Sequence, residues 1–224
     1  MNGEFGGLYA PSLVEVTTRQ LREEILSGQL APGQRLIEDQ IRLRFSISRA
    51  PLREALRSLA QQGLVEHLPR RGTRVTDLTE ADVDQLFGIR WALERHAIES
   101  AFPLSAPPNG TDPFLEVRVQ LEEMRRADAD GDELRKDDAH RAFHAAVVAL
   151  AGNRQLDLAL EPILLKLQRP MALNLRREAL AVGPEEGMSR HERLLAALET
   201  NDKDAVLAEL DAHGSRRFLL ASSG

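Results

Sequence analysis

Apolar residues recur along the chain at spacings that change period twice, and the changes mark out its elements. Between residues 12 and 27, Leu13, Val16, Leu21, Ile25 and Leu26 fall near one face of a 3.6-residue helix. Gly28 ends that helix, and Pro32-Gly33 turns the chain. Residues 37–44 predict a short second helix, and Phe45-Ser46-Ile47 a tight connection. Ser48 is a favourable N-cap for a third helix, with Pro51 in its first turn, where a missing N–H costs little. That helix runs to about Gln62 and stops at Gly63. The period then drops to two. Residues 64–68 alternate, residues 72–76 are β-prone, and Pro69-Arg70-Arg71 joins them. Three helices followed by a two-stranded hairpin predict a winged helix-turn-helix.

From Thr79 onward the pattern is helical throughout. Thr79-Glu80 opens a helix to about Phe102, and the Pro/Gly-rich stretch from Ser105 to Pro113 breaks it. Further helices are expected near 112–128, 131–151, 153–178, 184–200 and 202–221. The predicted fold is mostly α. A winged helix-turn-helix over 1–76 precedes an all-α bundle of about six helices over 77–224. No internal repeat or low-complexity tract interrupts it.

Composition narrows the setting. Hydrophobic residues make up 42% of the chain and charged residues 29%, which suits a globular protein rather than a disordered one. The absence of cysteine excludes disulfides and thiolate metal sites, and fits a reducing cytoplasm. The opening MNGEFGGLYAPSL lacks a basic start followed by an apolar core, so no signal peptide is expected. No apolar run approaches the roughly 18 residues of a membrane span. The net charge of −6 is unevenly spread. Residues 11–76 carry 11 Arg, no Lys and 7 acids, whereas residues 77–224 carry 18 basic residues and 27 acids. A basic front on an acidic back suggests a polyanion-binding module on a carrier without that role.

The arginines of the third helix sharpen this suggestion. Leu52, Ala55, Leu56 and Leu59 form one apolar stripe, while Arg49, Arg53 and Arg57 share another face at steps of four. Such a helix suits a DNA major groove, where arginine pairs bidentately with a guanine edge. Spacing alone describes an ordinary solvated face equally well. Arg70 and Arg71 lie at the expected wing tip, and Gly72 lets the backbone approach phosphates closely.

The stretch from Pro32-Gly33 through Arg35-Leu36, Glu38, Phe45-Ser46-Ile47-Ser48-Arg49, Pro51-Leu52-Arg53-Glu54-Ala55-Leu56, Gly63-Leu64-Val65 and Arg71-Gly72 closely resembles the DNA-binding domain of the GntR family of transcription regulators. The resemblance covers residues 25–76. It implies DNA contacts by Arg35, Ser48, Arg49, Arg53, Arg71 and Gly72, with Glu54 and Leu56 as internal structure. Arg42 departs from the usual alanine and is expected to be an exposed extra phosphate contact.

In the second half, His140 and His144 stand four apart on one helix, His191 opens a later helix, and His213 lies on the last. Neutral imidazoles at this spacing can enclose a divalent ion such as zinc or nickel, although a single histidine is more often a surface or hydrogen-bonded residue. This half resembles the FCD-type sensor of the FadR-like GntR branch, through His140-Arg141-Ala142-Phe143-His144 and Gly152-Asn153. The resemblance implies a metal on His140, His144, His191 and His213. His140 replaces the usual aspartate, which favours zinc, nickel or copper over manganese. Asp137, one turn earlier, is a substitute ligand or a partner for His140. Arg90 matches an arginine that points into the bundle, and Asn153 falls in the matched Gly-Asn pair. Both are candidates to bind a small carboxylate effector. A structural salt bridge from Arg90 to Glu94 is the other reading. Trp91 is expected to pack between helices rather than line the cavity.

The combined expectation is a homodimeric, cytoplasmic repressor of a palindromic double-stranded operator, with a metal, a carboxylate effector, and no catalytic or membrane role. A metal-free dimerisation module and a histidine-cluster metalloenzyme are the rivals.

Overall fold

The computed structural model describes residues 11–105 and 110–213. The chain divides after Asp77 into two compact units. In the first, α1 (Leu13–Ser27) starts with a capping box between Ser12 and Glu15 and ends at Gly28 with φ +88°. Its buried stripe begins only at Thr17 and continues through Leu21, Ile25 and Leu26. Leu13 and Val16, expected on that stripe, are exposed, because burial starts one turn into the helix.

A two-residue strand β1 (Arg35–Leu36) follows, then α2 (Glu38–Phe45) and α3 (Arg49–Gln61). Leu52, Ala55, Leu56 and Leu59 bury the inner face of α3, partly against α1. Ser48 occupies the N-cap of α3, but its side chain makes no cap hydrogen bond. The reason is local. The third helical residue is Pro51, which removes one of the two N–H groups that such a cap can bind.

The wing is three-stranded rather than two-stranded. β2 (Val65–Leu68) and β3 (Gly72–Val75) pair antiparallel with Leu68 opposite Gly72, and β1 adds to the other edge of β3 with Arg35 opposite Arg74. The tip turns through Arg70 at φ +63° and Gly72 at φ +85°, so backbone geometry asks for glycine at the second position.

The second unit contains α4 (Glu80–Ala101), α5 (Leu115–Asp130), α6 (Glu133–Ala149), α7 (Arg154–Val182), α8 (Pro184–Thr200) and α9 (Lys203–His213). These are the six expected helices; the part of the last expectation beyond 213 lies outside the described residues. A Thr79–Asp82 capping box starts α4. One core joins Ile98, Phe102, Val117, Leu121, Phe143, Leu194 and Leu210; another joins Ala97, Val148, Leu160, Leu164, Leu167 and Met171. Helix α6 packs against α4, α5 and α7, which places its middle at the centre of the unit. No helix among the described residues is long and apolar enough to cross a membrane.

Candidate functional site

Two sites emerge, one in each unit. On the first, the packing of Leu52, Ala55, Leu56 and Leu59 leaves Arg49, Arg53 and Arg57 on the outer surface of α3, each with a side chain 67% exposed. Arg49 Nη2 lies 3.7 Å from Asp39, Arg53 Nε lies 3.5 Å from Glu38, and Arg57 pairs with Glu54 at 2.8 Å. Ser48 is exposed beside Arg49. At the wing, Arg35 Nη2 donates to the carbonyl of Arg71 at 2.7 Å, tying the first strand to the tip where Arg71 and Gly72 are exposed.

Two expectations fail here. Arg42 is half-buried and bonded to Asp39 at 2.8 Å, because both lie on one face of the short helix α2. Glu54 is exposed rather than internal, since the buried stripe takes Leu52, Ala55 and Leu56 and turns Glu54 outward to Arg57.

In the second unit the imidazoles of His140, His144, His191 and His213 are buried together. Ring centroids lie 4.8 Å apart for His140–His144 and for His140–His191, 5.2 Å for His144–His213, and 4.4 Å for His191–His213. Donor nitrogens of His140, His144 and His191 all lie within 4.8 Å of one another. Nε2 of His140 and Nε2 of His144 face each other at 3.2 Å. Two nitrogens bound to one tetrahedral ion at the usual zinc distance stand about 3.3 Å apart.

The second nitrogens of the rings support the same fit. His144 Nδ1 sits 2.9 Å from Glu94 Oε1, and His191 Nδ1 sits 2.6 Å from the carbonyl of Gly187. Each oxygen claims an Nδ1 proton and leaves Nε2 as a base, which is how metal-ligating histidines are oriented. His191 Nε2 and His213 Nδ1 are buried without a hydrogen-bond partner. A buried unsatisfied nitrogen costs free energy that a cation would recover. Burial, reinforced by neighbouring charges that include Arg90 and Arg190, holds all four histidines below their ordinary pKa; His191 is at about 3. The rings are therefore neutral at pH 7, the protonation state a metal requires.

Arg90 is buried, donates from Nε to Glu94 Oε1 at 2.8 Å, and lays Nη2 at 3.2 and 3.3 Å from the His144 nitrogens. The Arg90–Glu94 salt bridge foreseen as one reading is thus present. Arg90 also lines a small cavity with His140, Asn174, Arg190 and His213. Asn153 does not line it. It is exposed at the N-cap of α7, where its side chain accepts from the N–H of Gln155, because a cap residue's side chain turns back on its own helix. Asp137 bonds Arg176 at 3.0 Å, which engages the carboxylate once offered as a partner for His140. Trp91 is partly exposed, and its indole N–H donates to Asp211, bridging α4 and α9 outside the cavity.

Sequence reasoning missed Arg190 and Glu178, a buried pair joining α8 and α7, and it missed the role of Glu94 toward His144. Glu94 carried a signal in its four-residue offset from Arg90. Arg190 carried only its place beside His191.

Comparison with known proteins fixes the class. The family model described as bacterial regulatory proteins, gntR family, matches residues 13–75, and the FCD domain matches residues 85–216. The regulator YdhC of Bacillus subtilis, named as an HTH-type transcriptional regulator, is 31% identical over 87% of this chain and 84% of its own length. The gluconate operon transcriptional repressor of Bacillus licheniformis is 26% identical over 85% and 77%. The repressor GlaR of Escherichia coli is 28% identical over 82% and 84%. Among solved structures, a GntR protein of Rhodococcus sp. RHA1 is similar with TM-score 0.66, at 22% identity over 91% of this chain and 94% of that one. The chain belongs to the GntR family of transcriptional regulators and carries an FCD domain. Its relatives are regulators rather than enzymes, which sets the metalloenzyme rival aside.

Proposed function

We propose that this regulator is a cytoplasmic, homodimeric repressor of a palindromic operator, controlled by a small carboxylate held together with a divalent ion in the C-terminal unit. Arg49 and Arg53 on α3 read or clamp the duplex, Ser48 supports them, and Arg35, Arg71 and Gly72 form the wing contact. The two recognition helices of a dimer match two half-sites. Relatives named as repressors support the sign of control.

The observation that carries the metal reading is the anchoring of the imidazoles. Glu94 and the Gly187 carbonyl hold the Nδ1 protons of His144 and His191, so their Nε2 lone pairs converge with His140, while the His213 ring packs against those of His144 and His191. An all-nitrogen donor set suits zinc or nickel better than manganese. A bound ion of this kind supplies a Lewis-acid position for a carboxylate oxygen. Arg90 supplies a charge-assisted hydrogen bond to the same group. Effector binding favours one arrangement of the bundle and releases DNA.

Two measurements test this. Protein purified without chelator is expected to carry about one zinc or nickel per chain by mass spectrometry, and His144→Ala to lose most of it. No metal, with a melting temperature unmoved by either ion, leaves the C-terminal unit a metal-free dimerisation module. Arg49→Ala and Arg53→Ala are each expected to cost about 1–3 kcal/mol of operator binding with the fold intact. Normal gel shifts from both variants overturn the placement of the reading face.

A further inference from the structure

We propose that Arg190 is a positioning residue of the metal site, an assignment that rests on the metal reading above and deepens it. Held by Glu178 of α7, it fixes the backbone of His213 so that this fourth ring stays against the others. His144 and His191 need no such help, because the Nδ1 of each meets an oxygen, Glu94 at 2.9 Å and the Gly187 carbonyl at 2.6 Å. His213 Nδ1 is buried without a hydrogen-bond partner among the described residues. Its ring is placed by packing, with centroids 4.4 Å from His191 and 5.2 Å from His144. Its position therefore depends on the backbone that carries it.

That backbone is where Arg190 acts. Arg190 Nη1 donates to the His213 carbonyl at 3.1 Å, and Nη2 donates to Glu178. Arg190, Glu178 and His213 are all buried. One guanidinium thus ties α9 to α8 and, through Glu178, to α7. Two acceptors in two directions suit its planar fork of donors, whereas an ammonium presents a single point charge. Glu178 also cancels the charge of Arg190, so a cation bound nearby meets a neutral pair rather than a lone buried charge.

His191 shares the same support. Arg190 and His191 are consecutive on α8, and side chains one apart on a helix point about 100° from each other. One helix can then present a ring to the cluster and a guanidinium to α7 and α9. At Gly187 this helix comes so close to α7 that an added Cβ would lie 3.2 Å from Glu178 Oε2. The Gly187 carbonyl is the group that orients His191. Glu178 therefore stands behind both later histidines, packed on the backbone that orients one and paired with the arginine that holds the other. A second tether holds α9 from outside, where Asp211 accepts from Trp91 at 3.0 Å and from Arg95 at 3.3 Å. That tether is exposed and serves as a control.

The test measures the zinc affinity of the full chain by competition with a chromogenic chelator. Arg190→Gln is expected to weaken zinc binding about ten- to hundredfold. Asp211→Asn, which loosens α9 from outside, is expected to change it less than about threefold. With His213 gone, Arg190 has no ligand left to position. Adding Arg190→Gln to His213→Ala is therefore expected to cost less than about a further threefold. The visible spectrum of cobalt bound to Arg190→Gln is expected to shift toward that of His213→Ala. Unchanged zinc affinity in Arg190→Gln, an equal loss in Asp211→Asn, losses from Arg190→Gln and His213→Ala that simply add, or an unshifted cobalt spectrum each overturn the assignment and leave the metal reading standing. No zinc binding by the native chain overturns both. Should Arg190→Gln fail to fold, Arg190→Lys carries the same cycle, because it keeps the charge and loses the fork. Its loss is expected to be smaller and to depend on His213 in the same way.

Discussion

The candidate sites of both units are built from arginine–carboxylate pairs, and the pairs differ chiefly in their access to water. Arg53 and Glu38 in the first unit have side chains 67% and 30% exposed and meet at 3.5 Å. Arg90 and Glu94 in the second have side chains 7% and 2% exposed and meet at 2.8 Å. An exposed pair in high dielectric contributes about 0–1 kcal/mol and exchanges readily for another partner. A buried pair barely exchanges, because removing one member strands the other charge away from water. The first arrangement suits a surface that must trade its own carboxylates for DNA phosphates. The second suits a site whose groups must be held in place before a ligand arrives.

Acidification is the widest test of this contrast. The buried histidines have folded pKa values lowered chiefly by desolvation, so the unfolded chain binds more protons than the folded one below about pH 6.5. Stability is therefore present above that pH and lost as pH falls through it toward the folded values. Each imidazole contributes about 1.4 kcal/mol per pH unit in that window, and four together several. Glu94 acts in the opposite sense: burial raises its pKa, the folded state takes up its proton more readily, and part of the loss is recovered. Metal-free protein is expected to melt several degrees lower at pH 5.5 than at pH 7.5, and zinc or nickel to move the loss to lower pH. Among the described residues the first unit contains only one histidine, so its candidate reading face is expected to change little. Calorimetry that resolves two transitions checks this. Equal acid sensitivity of both would erase the contrast.

Glu94→Gln comes next. The amide keeps the shape and can still accept from His144 Nδ1, but it leaves the Arg90 charge buried without its carboxylate. A loss of about 3–5 kcal/mol is expected in urea unfolding. A loss below about 1 kcal/mol would mean that water reaches the pair and that the two units handle charge alike.

The same contrast explains what could be read from the chain. The stripe of Leu52, Ala55, Leu56 and Leu59 was legible because helical spacing alone decides which face of α3 is buried. His140 and His144 were legible because four residues is one turn. Strand β1 was not, since Arg35 and Leu36 become a strand only by pairing with Arg74 and Thr73, and two residues show no alternation. The Glu178–Arg190 pair was not, because it joins two helices, and nothing in the local pattern says that charges there will be buried. Leu13 and Val16 show the converse error: the period was right, but no neighbour among the described residues covers the first turn. Periodicity reports a helix's own geometry, whereas burial of charge is decided by distant residues.

The smallest expected effect is the most informative about the proposed DNA-reading face. Glu38 and Asp39 occupy the first turn of α2, where the helix dipole favours negative charge, and they lie against Arg53 and Arg49. On the proposed reading, each carboxylate competes with phosphate for its arginine. Glu38 also approaches Arg53 from the Nε side, which biases the orientation of the guanidinium. Glu38→Gln is expected to change stability by less than about 1 kcal/mol, because the pair is exposed. Random duplex should bind about two- to fivefold more tightly once the competing charge is gone. Operator should gain less, because the same change removes the group that orients Arg53, so the ratio of specific to random binding falls. Parallel titrations of operator and random duplex at one salt concentration measure that ratio. If both duplexes gain equally, Glu38 acts as a simple competing charge. If neither moves, the pair has no part in DNA reading, and exchange of surface carboxylates for phosphates fails as an account of this face.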